Sequence, residues 1–287
     1  MSKGLRSYPA SAPKEPDLDI DAAATVAILE GFIKSEVERT GLHRVVLGLS
    51  GGIDSALAAY LAVRALGPSG VLGVLMPCRT SNASSVKDAE SVLQDLGIAA
   101  ERFDISEMVD VFSGKSGNVG PRRLGNVMAR IRMLVLYDRS VEHDALVLGT
   151  SNKTELLLGY GTIHGDLASA LNPLGDLYKT QVRELSRAVG VPKAILTKPP
   201  SADLWPDQTD EADLGASYEE LDQILALLVD ARVTPATIVA QGFPRKTVDR
   251  VTRLVMRSQF KRRLPLIAKV STRSIGWDFR YPRDWKS

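Results

Sequence analysis

The sequence contains a single cysteine, Cys78, so it cannot form a disulfide within the chain, which is typical of proteins from reducing compartments. It has no apolar run long enough to span a bilayer, and residues 1–18 lack the apolar core of a signal peptide. Charge of one sign is not in excess either, because 36 Lys and Arg against 34 Asp and Glu give a net charge of +2. These absences predict a soluble cytoplasmic protein without membrane contact, and they disfavour nucleic acid as a partner.

The composition is that of a globular enzyme-sized protein, with 287 residues, 44% hydrophobic and 24% charged. Residues 1–18 are polar and contain proline, which predicts a flexible N-terminal arm. We expect residues 19–287 to form one domain that is mostly helical from about residue 175.

Short apolar runs alternate with amphipathic segments through the first two thirds of the chain. Strands are predicted at Val45–Leu49, Val71–Met76, Ala100–Ile105 and Ala145–Gly149. Helices are predicted at 21–40, Ala56–Leu66, Ser84–Leu96, Arg122–Glu142, Thr180–Val189, Tyr218–Ala231 and Val248–Phe260. Strands that alternate with helices require crossover connections, so the pattern predicts an α/β fold with a doubly wound, Rossmann-like parallel sheet and a helical C-terminal part. The strand order is not readable from the sequence.

The segment Ser50-Gly51-Gly52-Ile53-Asp54-Ser55 lies between a predicted strand and a predicted helix. Glycines allow a tight turn and close approach of a ligand, and a helix N-terminus attracts anions. Asp54 would repel an anion unless a cation lay between them, which points to Mg²⁺ bridging its carboxylate and phosphate oxygens. The alternative is an ordinary glycine turn before a helix.

This segment resembles the pyrophosphate loop of the ATP-pyrophosphatase superfamily, whose fold is of the adenine nucleotide alpha-hydrolase type. It lacks the third spaced glycine of a dinucleotide fingerprint and the lysine of a GxxxxGK[ST] loop. The resemblance implies an enzyme that splits ATP into AMP and pyrophosphate and activates a carboxylate or carbonyl as its adenylate.

Four further segments resemble the ammonia-dependent NAD synthetases within that superfamily. They are Leu124–Met133, Gly149–Asp166, Asn172–Leu185 and Lys198–Leu225. The resemblance implies amidation of nicotinate adenine dinucleotide by ammonia, with ATP as co-substrate, Mg²⁺ as cofactor and a homodimer that binds the dinucleotide across its interface. A glutamine-dependent enzyme needs an additional glutaminase domain, so we expect free ammonia or a separate ammonia donor.

The resemblance also implies roles for individual residues. The predicted catalytic residues are Asp54, Glu155, Lys179 and Asp166, of which Asp54 and Glu155 would hold the metal. The predicted ATP-binding residues are Leu49, Ser50, Gly51, Gly52, Asp54, Ser55, Thr150, Lys179 and Ser201. The predicted substrate-binding residues are Asn126, Arg130, Asp166 and Lys261. Taken singly, these residue types also serve as helix caps, turn residues or solvated surface groups.

Three positions depart from the family pattern. Ile163 stands where a lysine is usual, Ala170 where an acid is usual, and Phe260 where a histidine is frequent. We expect these departures to affect binding of ammonia or the dinucleotide but not the chemistry of ATP. Two rival functions stay open here: another adenylating enzyme of the superfamily, such as a tRNA-modifying or sulfur-transferring one, and a nucleotide-binding homologue impaired in catalysis.

The C-terminal part carries a row of basic residues at helical spacing. They are Lys246, Arg250, Arg253 and Arg257, continued by Lys261, Arg262 and Arg263. The row predicts either a solvated helix face or a clamp for phosphate groups.

Overall fold

The computed structural model describes residue 16 and residues 18–117, 119–201, 208–263 and 265–275. Within these residues the sheet comprises β1 (Arg44–Gly48), β2 (Val71–Leu75), β3 (Ala99–Arg102) and β4 (Ala145–Val147). All neighbouring strands are parallel, and their order is β3-β2-β1-β4. From β1 the chain first adds strands on one side and later adds β4 on the other. This reversal creates a switch point between β1 and β4, where α/β proteins bind ligands at the carboxyl ends of the strands.

Helices occupy most of the remaining described chain. Those of the sheet-forming part are α1 (Ala22–Glu38), α2 (Ile53–Leu66), α3 (Ala83–Leu96), α4 (Ser106–Ser116), α5 (Pro121–Glu142) and α6 (Lys153–Leu158). They are followed by α7 (Lys179–Val189), α8 (Lys193–Leu196), α9 (Asp210–Leu214), α10 (Tyr218–Leu225), α11 (Pro235–Ala240) and α12 (Arg245–Arg257). The predicted helices and strands are found within a few residues of their predicted ends, and the predicted helix Tyr218–Ala231 is divided into α10 and a π-helical turn, Ala226–Asp230. None of the helices in the described ranges has both the length and the apolar character needed to cross a membrane.

The sheet is covered by helices on both faces, as predicted. Val45 and Leu47 of β1 pack into a core with α1, α2 and α7, whereas Val46 packs on the opposite face. There it belongs to a second core that includes Met128 and Val135 of α5. Because side chains alternate between the faces of a strand, an unbroken apolar run is what a doubly covered sheet requires.

A third core lies within the C-terminal helical part and is centred on α10 and α12. Tyr218 and Leu221 of α10 and Val248 of α12 are fully or almost fully buried in it. Leu18 packs against this core, and its carbonyl accepts a hydrogen bond of 3.1 Å from Gln181 Nε2. Of the predicted arm, residues 1–18, the structure describes only residues 16 and 18. The assignment of residues 19–287 to a single domain stays a prediction.

Candidate active site

A cavity of about 600 Å³ opens at the carboxyl ends of β1, β2 and β4, which is the switch point of the sheet. Its volume lies in the range of about 300–1,000 Å³ typical of ligand sites. The predicted residues on its wall are Leu49, Ser50, Gly52, Asp54, Ser55, Thr150, Glu155, Asp166, Lys179 and Ser201. Four others, Gly51, Asn126, Arg130 and Lys261, do not line it. The fold therefore brings together residues from segments more than a hundred positions apart.

The loop between β1 and α2 is held by its own serines. Ser50 Oγ lies 3.1 Å from Ser55 Oγ and accepts a hydrogen bond of 3.3 Å from the Gly52 N–H. Gly52 is the N-cap of α2, and no side chain of the described residues caps the helix there. The N-terminus of this 14-residue helix therefore has no side-chain cap and borders the cavity, and phosphate binding there stays a prediction.

Gly51 acts through the backbone rather than on the cavity wall. Its φ is +76°, in the left-handed region, and an added Cβ would lie 2.0 Å from the carbonyl oxygen of Ser85 on α3. Glycine is therefore required both by the turn and by the close approach of α3.

The centre of the site is a lysine between two carboxylates. Lys179 Nζ forms an ion pair with Asp54 Oδ2 and lies 3.4 Å from Glu155 Oε1, and the lysine side chain is only 2% exposed. Burial and the neighbouring charge of Asp54 raise the pKa of Glu155. Burial alone would lower the pKa of Lys179, but the charges of Asp54 and Glu155 outweigh it and raise that pKa. The lysine is accordingly held as the ammonium.

The donor set suits a magnesium ion that is shared with phosphate groups. Asp54 and Glu155 share one ammonium, so the trio keeps one uncompensated negative charge when both acids are ionised. Mg²⁺ is commonly bound by one or two carboxylates together with substrate phosphates. The described residues contain no group of three or more His, Cys, Asp or Glu placed to hold a metal alone. Asp54 and Glu155 therefore fit a metal that arrives with its nucleotide.

Asn152, which the sequence analysis did not single out, contacts both carboxylates. It is fully buried, and its Nδ2 donates a hydrogen bond of 2.9 Å to Asp54 Oδ1. Its Oδ1 accepts from the Glu155 N–H at 2.9 Å, and its own N–H donates to Glu155 Oε2 at 3.3 Å. The last two bonds form a capping box at the start of α6. The signal was readable, because Asn followed three residues later by Glu is a helix-start pattern.

A chain of buried hydrogen bonds from the C-terminal core holds the backbone of Lys179 in place, and the sequence analysis did not identify its residues. The Lys179 N–H donates to Thr154 Oγ1 at 3.0 Å, and Thr154 Oγ1 donates in turn to Asp222 Oδ1 at 2.5 Å. Asp222 Oδ2 accepts from the Thr180 N–H at 2.8 Å, so this carboxylate caps the start of α7. The Tyr218 ring lies 5.2 Å from Lys179 Nζ, which adds a cation–π contact.

A third carboxylate, Asp210, stands on the cavity wall near this trio. It is almost fully buried, and both oxygens accept hydrogen bonds of 3.0 Å, from the hydroxyls of Tyr160 and Tyr218. Burial raises the pKa of Asp210, and the ammonium of Lys179 opposes that rise. When ionised, Asp210 adds negative charge to the cavity wall and so favours the binding of a cation there.

Asp166 lies on another part of the wall, beside α5. Its Oδ1 accepts a hydrogen bond from the Thr162 N–H. Although the residue is exposed, partial desolvation by the surrounding wall raises its pKa, while that hydrogen bond and the charges of Lys261 and Arg132 act in the opposite direction. Arg132 also lines the cavity, where its Nε donates to the Met76 carbonyl at 3.1 Å. Sequence reasoning did not select Arg132, since an arginine on a helix is usually solvated.

Asn126 and Arg130 hold the loop that carries Asp166. Asn126 Oδ1 accepts from Thr162 Oγ1 at 2.9 Å, and Arg130 Nη2 donates to the Ile163 carbonyl at 3.4 Å. Both residues lie on α5 and shape this loop from outside the cavity. Their binding of substrate stays a prediction.

The basic residues near the C-terminus do not form a clamp over the cavity in the described residues. Lys261 Nζ donates to the carbonyls of Gly159 and Gly161 at 2.7 and 2.6 Å, so it fastens the beginning of the same loop. Arg250 Nη2 donates to the Asp213 carbonyl at 2.6 Å. None of Lys246, Arg250, Arg253, Arg257, Lys261, Arg262 and Arg263 lines the cavity. A role of Lys261 in substrate binding stays a prediction.

The three departures from the family pattern also lie off the cavity wall. Ala170 is exposed, and its N–H donates to the Val147 carbonyl at 2.9 Å, which any residue could do. Phe260 is 61% exposed. Nothing in the structure explains why Ile163, Ala170 or Phe260 replaces the usual residue.

Comparison with known proteins adds independent information. The model of a family described as NAD synthase matches residues 25–265. An NH3-dependent NAD+ synthetase from Chlorobaculum tepidum is 52% identical over 273 residues, covering 95% of this chain and 99% of that protein. The structure of NMN synthetase from Francisella tularensis has a TM-score of 0.78 at 32% identity and covers 87% of this chain and 99% of its own. That of NH3-dependent NAD synthetase from Campylobacter jejuni has a TM-score of 0.75 at 34% identity, with coverages of 88% and 100%.

Proposed function

The chain belongs to the NAD synthase family, and we propose that it is a ligase that amidates nicotinate adenine dinucleotide with ammonia and ATP, giving NAD, AMP and pyrophosphate. Within the site, the observation that supports this proposal is the buried Lys179, which lies between Glu155 and Asp54 of the loop Ser50–Ser55. Family membership does not favour a tRNA-modifying or sulfur-transferring enzyme.

The first half of the reaction makes the carboxylate reactive. A carboxylate oxygen of the nicotinate ring attacks the α-phosphorus of ATP, the α–β phosphoanhydride bond breaks, and pyrophosphate leaves. The N-terminus of α2 and the hydroxyls of Ser50 and Ser55 bind phosphate oxygens, and the ammonium of Lys179 stabilises charge that develops on the leaving pyrophosphate. Asp54 and Glu155 would hold a Mg²⁺ ion, which neutralises phosphate charge and orients the polyphosphate when bound.

The second half of the reaction forms the amide. The ammonia nitrogen attacks the carbonyl carbon of the adenylate, AMP leaves, and the new amide nitrogen loses a proton. Asp166 lies on the cavity wall, so its carboxylate is placed to bind ammonium and accept a proton. Arg132, beside it, is positioned to contact an anionic group of the substrate or of AMP.

We expect the purified chain to convert nicotinate adenine dinucleotide, ATP, Mg²⁺ and ammonium to NAD with one AMP and one pyrophosphate per turnover. Anion exchange chromatography separates AMP from ADP, and an enzymatic cycling assay measures NAD. Glutamine in place of ammonium, and EDTA in place of Mg²⁺, should abolish product. Nicotinate mononucleotide serves as a competing substrate, and preferential amidation of it, or release of ADP and orthophosphate, would contradict the proposal.

An exposed apolar face formed by α4 and α5 supports a homodimer. Its residues are Met108, Val111 and Phe112 of α4 with Leu134, Tyr137 and Val141 of α5. We name this set the α4–α5 face. A cluster of exposed large apolar side chains on two packed helices is unusual for a monomer and is typical of an interface. The occupant that we propose is a second copy of this chain.

The side of α5 that contributes Leu134, Tyr137 and Val141 to the α4–α5 face also carries the predicted dinucleotide-binding residues Asn126 and Arg130. Asn126, Arg130, Leu134, Tyr137 and Val141 follow each other at steps of four, four, three and four, so they share one side of the helix. An interface on the apolar half of this side of α5 would place the polar half at its rim. A dinucleotide bound across the interface would then be in reach of Asn126 and Arg130.

Replacing Leu134 and Val141 with aspartate should therefore convert the protein to a monomer and weaken dinucleotide binding more than ATP binding. Two charges buried in an interface should cost about 2 kcal/mol or more of association free energy. Light scattering after size-exclusion chromatography measures the mass, and the KM of each substrate is measured separately. Ile28→Asp, at an exposed apolar residue of α1, is the control and should leave the mass of the protein and the KM of each substrate unchanged. A wild-type monomer with full activity would refute the homodimer.

A further inference from the structure

Asn152, like Lys179, forms hydrogen bonds to both Asp54 and Glu155. The three bonds of Asn152 are those from Nδ2 to Asp54 Oδ1, from the Glu155 N–H to Oδ1, and from the Asn152 N–H to Glu155 Oε2. Asn152 is 0% exposed, so no solvent competes with these contacts. One buried side chain thus connects the helix that carries Glu155 to the carboxylate that follows the phosphate loop.

The two partners fix the orientation of the Asn152 amide. The Glu155 N–H can only donate, so it requires the amide oxygen, and the carboxylate of Asp54 accepts from the amide nitrogen. Capping of α6 does not by itself require asparagine, since serine and aspartate cap helices about as well. Aspartate would place an oxygen against Asp54, and serine is too short to reach it. The contact with Asp54 is therefore what demands an amide at this position.

The same bonds determine which oxygen of each carboxylate is turned toward Lys179. Asn152 engages Asp54 Oδ1 and Glu155 Oε2, whereas Asp54 Oδ2 and Glu155 Oε1 face Lys179. One oxygen of each acid is thus held by asparagine, and the other points to the charged centre of the site. A metal that binds both acids needs such a fixed spacing, because residues behind metal ligands orient them and tune affinity.

We propose that Asn152 is a positioning residue that sets the spacing and orientation of Asp54 and Glu155 for the metal–nucleotide complex. This inference rests on the proposed role of the two acids. Asn152 does not line the cavity, so it would act through the two acids. Its effect should consequently be seen in metal binding in the absence of turnover, and not only in activity.

The experiment compares Asn152→Ser with Asn152→Ala in the full chain. Serine keeps a helix cap but loses the contact with Asp54, whereas alanine loses both. The probe is Mn²⁺ with α,β-methylene ATP, which does not turn over, and bound Mn²⁺ is measured by electron paramagnetic resonance. Both variants should weaken Mn²⁺ binding by about tenfold or more, the usual effect of removing a group that orients a metal ligand. The melting temperature should fall for alanine more than for serine.

A matched control separates capping from positioning. Thr234 caps α11, which like α6 has six residues, through a hydrogen bond of 3.3 Å from the Thr237 N–H to Thr234 Oγ1. Thr234→Ala should lower the melting temperature without changing Mn²⁺ binding. Wild-type Mn²⁺ affinity in Asn152→Ser would overturn the proposal, as would a wild-type protein that binds no Mn²⁺ with the analogue. If the wild type binds Mn²⁺ but makes no NAD, the proposed function fails while the role of Asn152 is still decided by the variants.

Discussion

Lys179→Met should lower kcat by about three orders of magnitude, because the preorganised charge that stabilises the leaving pyrophosphate is lost. Methionine fills nearly the same volume but carries no charge. The lysine is buried, is held as the ammonium by Asp54 and Glu155, and lies on the cavity wall. In such an environment a fixed charge acts far more strongly than it would in water. Rapid-quench measurement of AMP formation with saturating substrates reports this loss directly.

Lys153→Met is a closely matched control. Lys153 begins α6 as Lys179 begins α7, and its Nζ pairs with Asp176 at 3.2 Å and Asp230 at 3.0 Å. It lies 4.7 Å from the centre of the Tyr178 ring, but it does not line the cavity. We expect this variant to lose stability and to keep kcat close to wild type.

The two variants together distinguish a catalytic ammonium from a structural one. Thermal melting and circular dichroism establish that each variant is folded, and binding of α,β-methylene ATP shows whether its cavity is intact. If Lys179→Met and Lys153→Met lose activity equally, the role assigned to Lys179 is wrong. A rise in KM with kcat unchanged would also contradict this role, since that pattern indicates that the lost interaction was made equally in the ground and transition states.

The part of the site that could be predicted from the sequence is the part encoded in contiguous segments. The strand, the loop Ser50–Ser55 and the following helix form one local unit, so their residues were placed correctly without knowledge of the sheet. Glu155 and Lys179 were identified through resemblance to a family. Neither periodicity nor spacing would have brought them to Asp54, because that contact depends on β4 lying beside β1.

The missed residues share a physical reason. Asn152 meets Asp54 across 98 positions of sequence, and Asp222 meets Thr154 across 68. Both are short polar side chains whose type is also common in caps and turns, and only their burial marks them as important. Strand order was unreadable for a related reason, since four buried strands with similar apolar runs can be arranged in several ways.

The short helices were missed because they are too brief to show a period. The six residues of α6 make less than two turns, and α8 and α9 are shorter still. Such helices are stabilised by their caps and by packing rather than by an amphipathic pattern. In α6 this matters for function, because the capping box of that helix is also the support of Glu155.

Removing the charge of either acid proposed to bind the metal should lower kcat by about two orders of magnitude, the scale of losing one strong electrostatic contact in the transition state. The conservative replacements are Asp54→Asn and Glu155→Gln. Each keeps an oxygen able to accept the hydrogen bond from Asn152, and glutamine also serves in a capping box. The fold should therefore persist, so that the change is one of charge and not of packing.

The dependence on magnesium identifies what was lost. If Asp54 and Glu155 hold the ion, each variant should need a higher Mg²⁺ concentration for half-maximal activity. The double variant should raise the activation free energy by much less than the sum of the two single effects. Asp230→Asn, at a carboxylate paired with Lys153 away from the cavity, should leave the Mg²⁺ requirement unchanged. Near-full activity of either single variant at limiting Mg²⁺ would exclude that residue as a ligand, and the uncompensated charge around Lys179 would then require another partner.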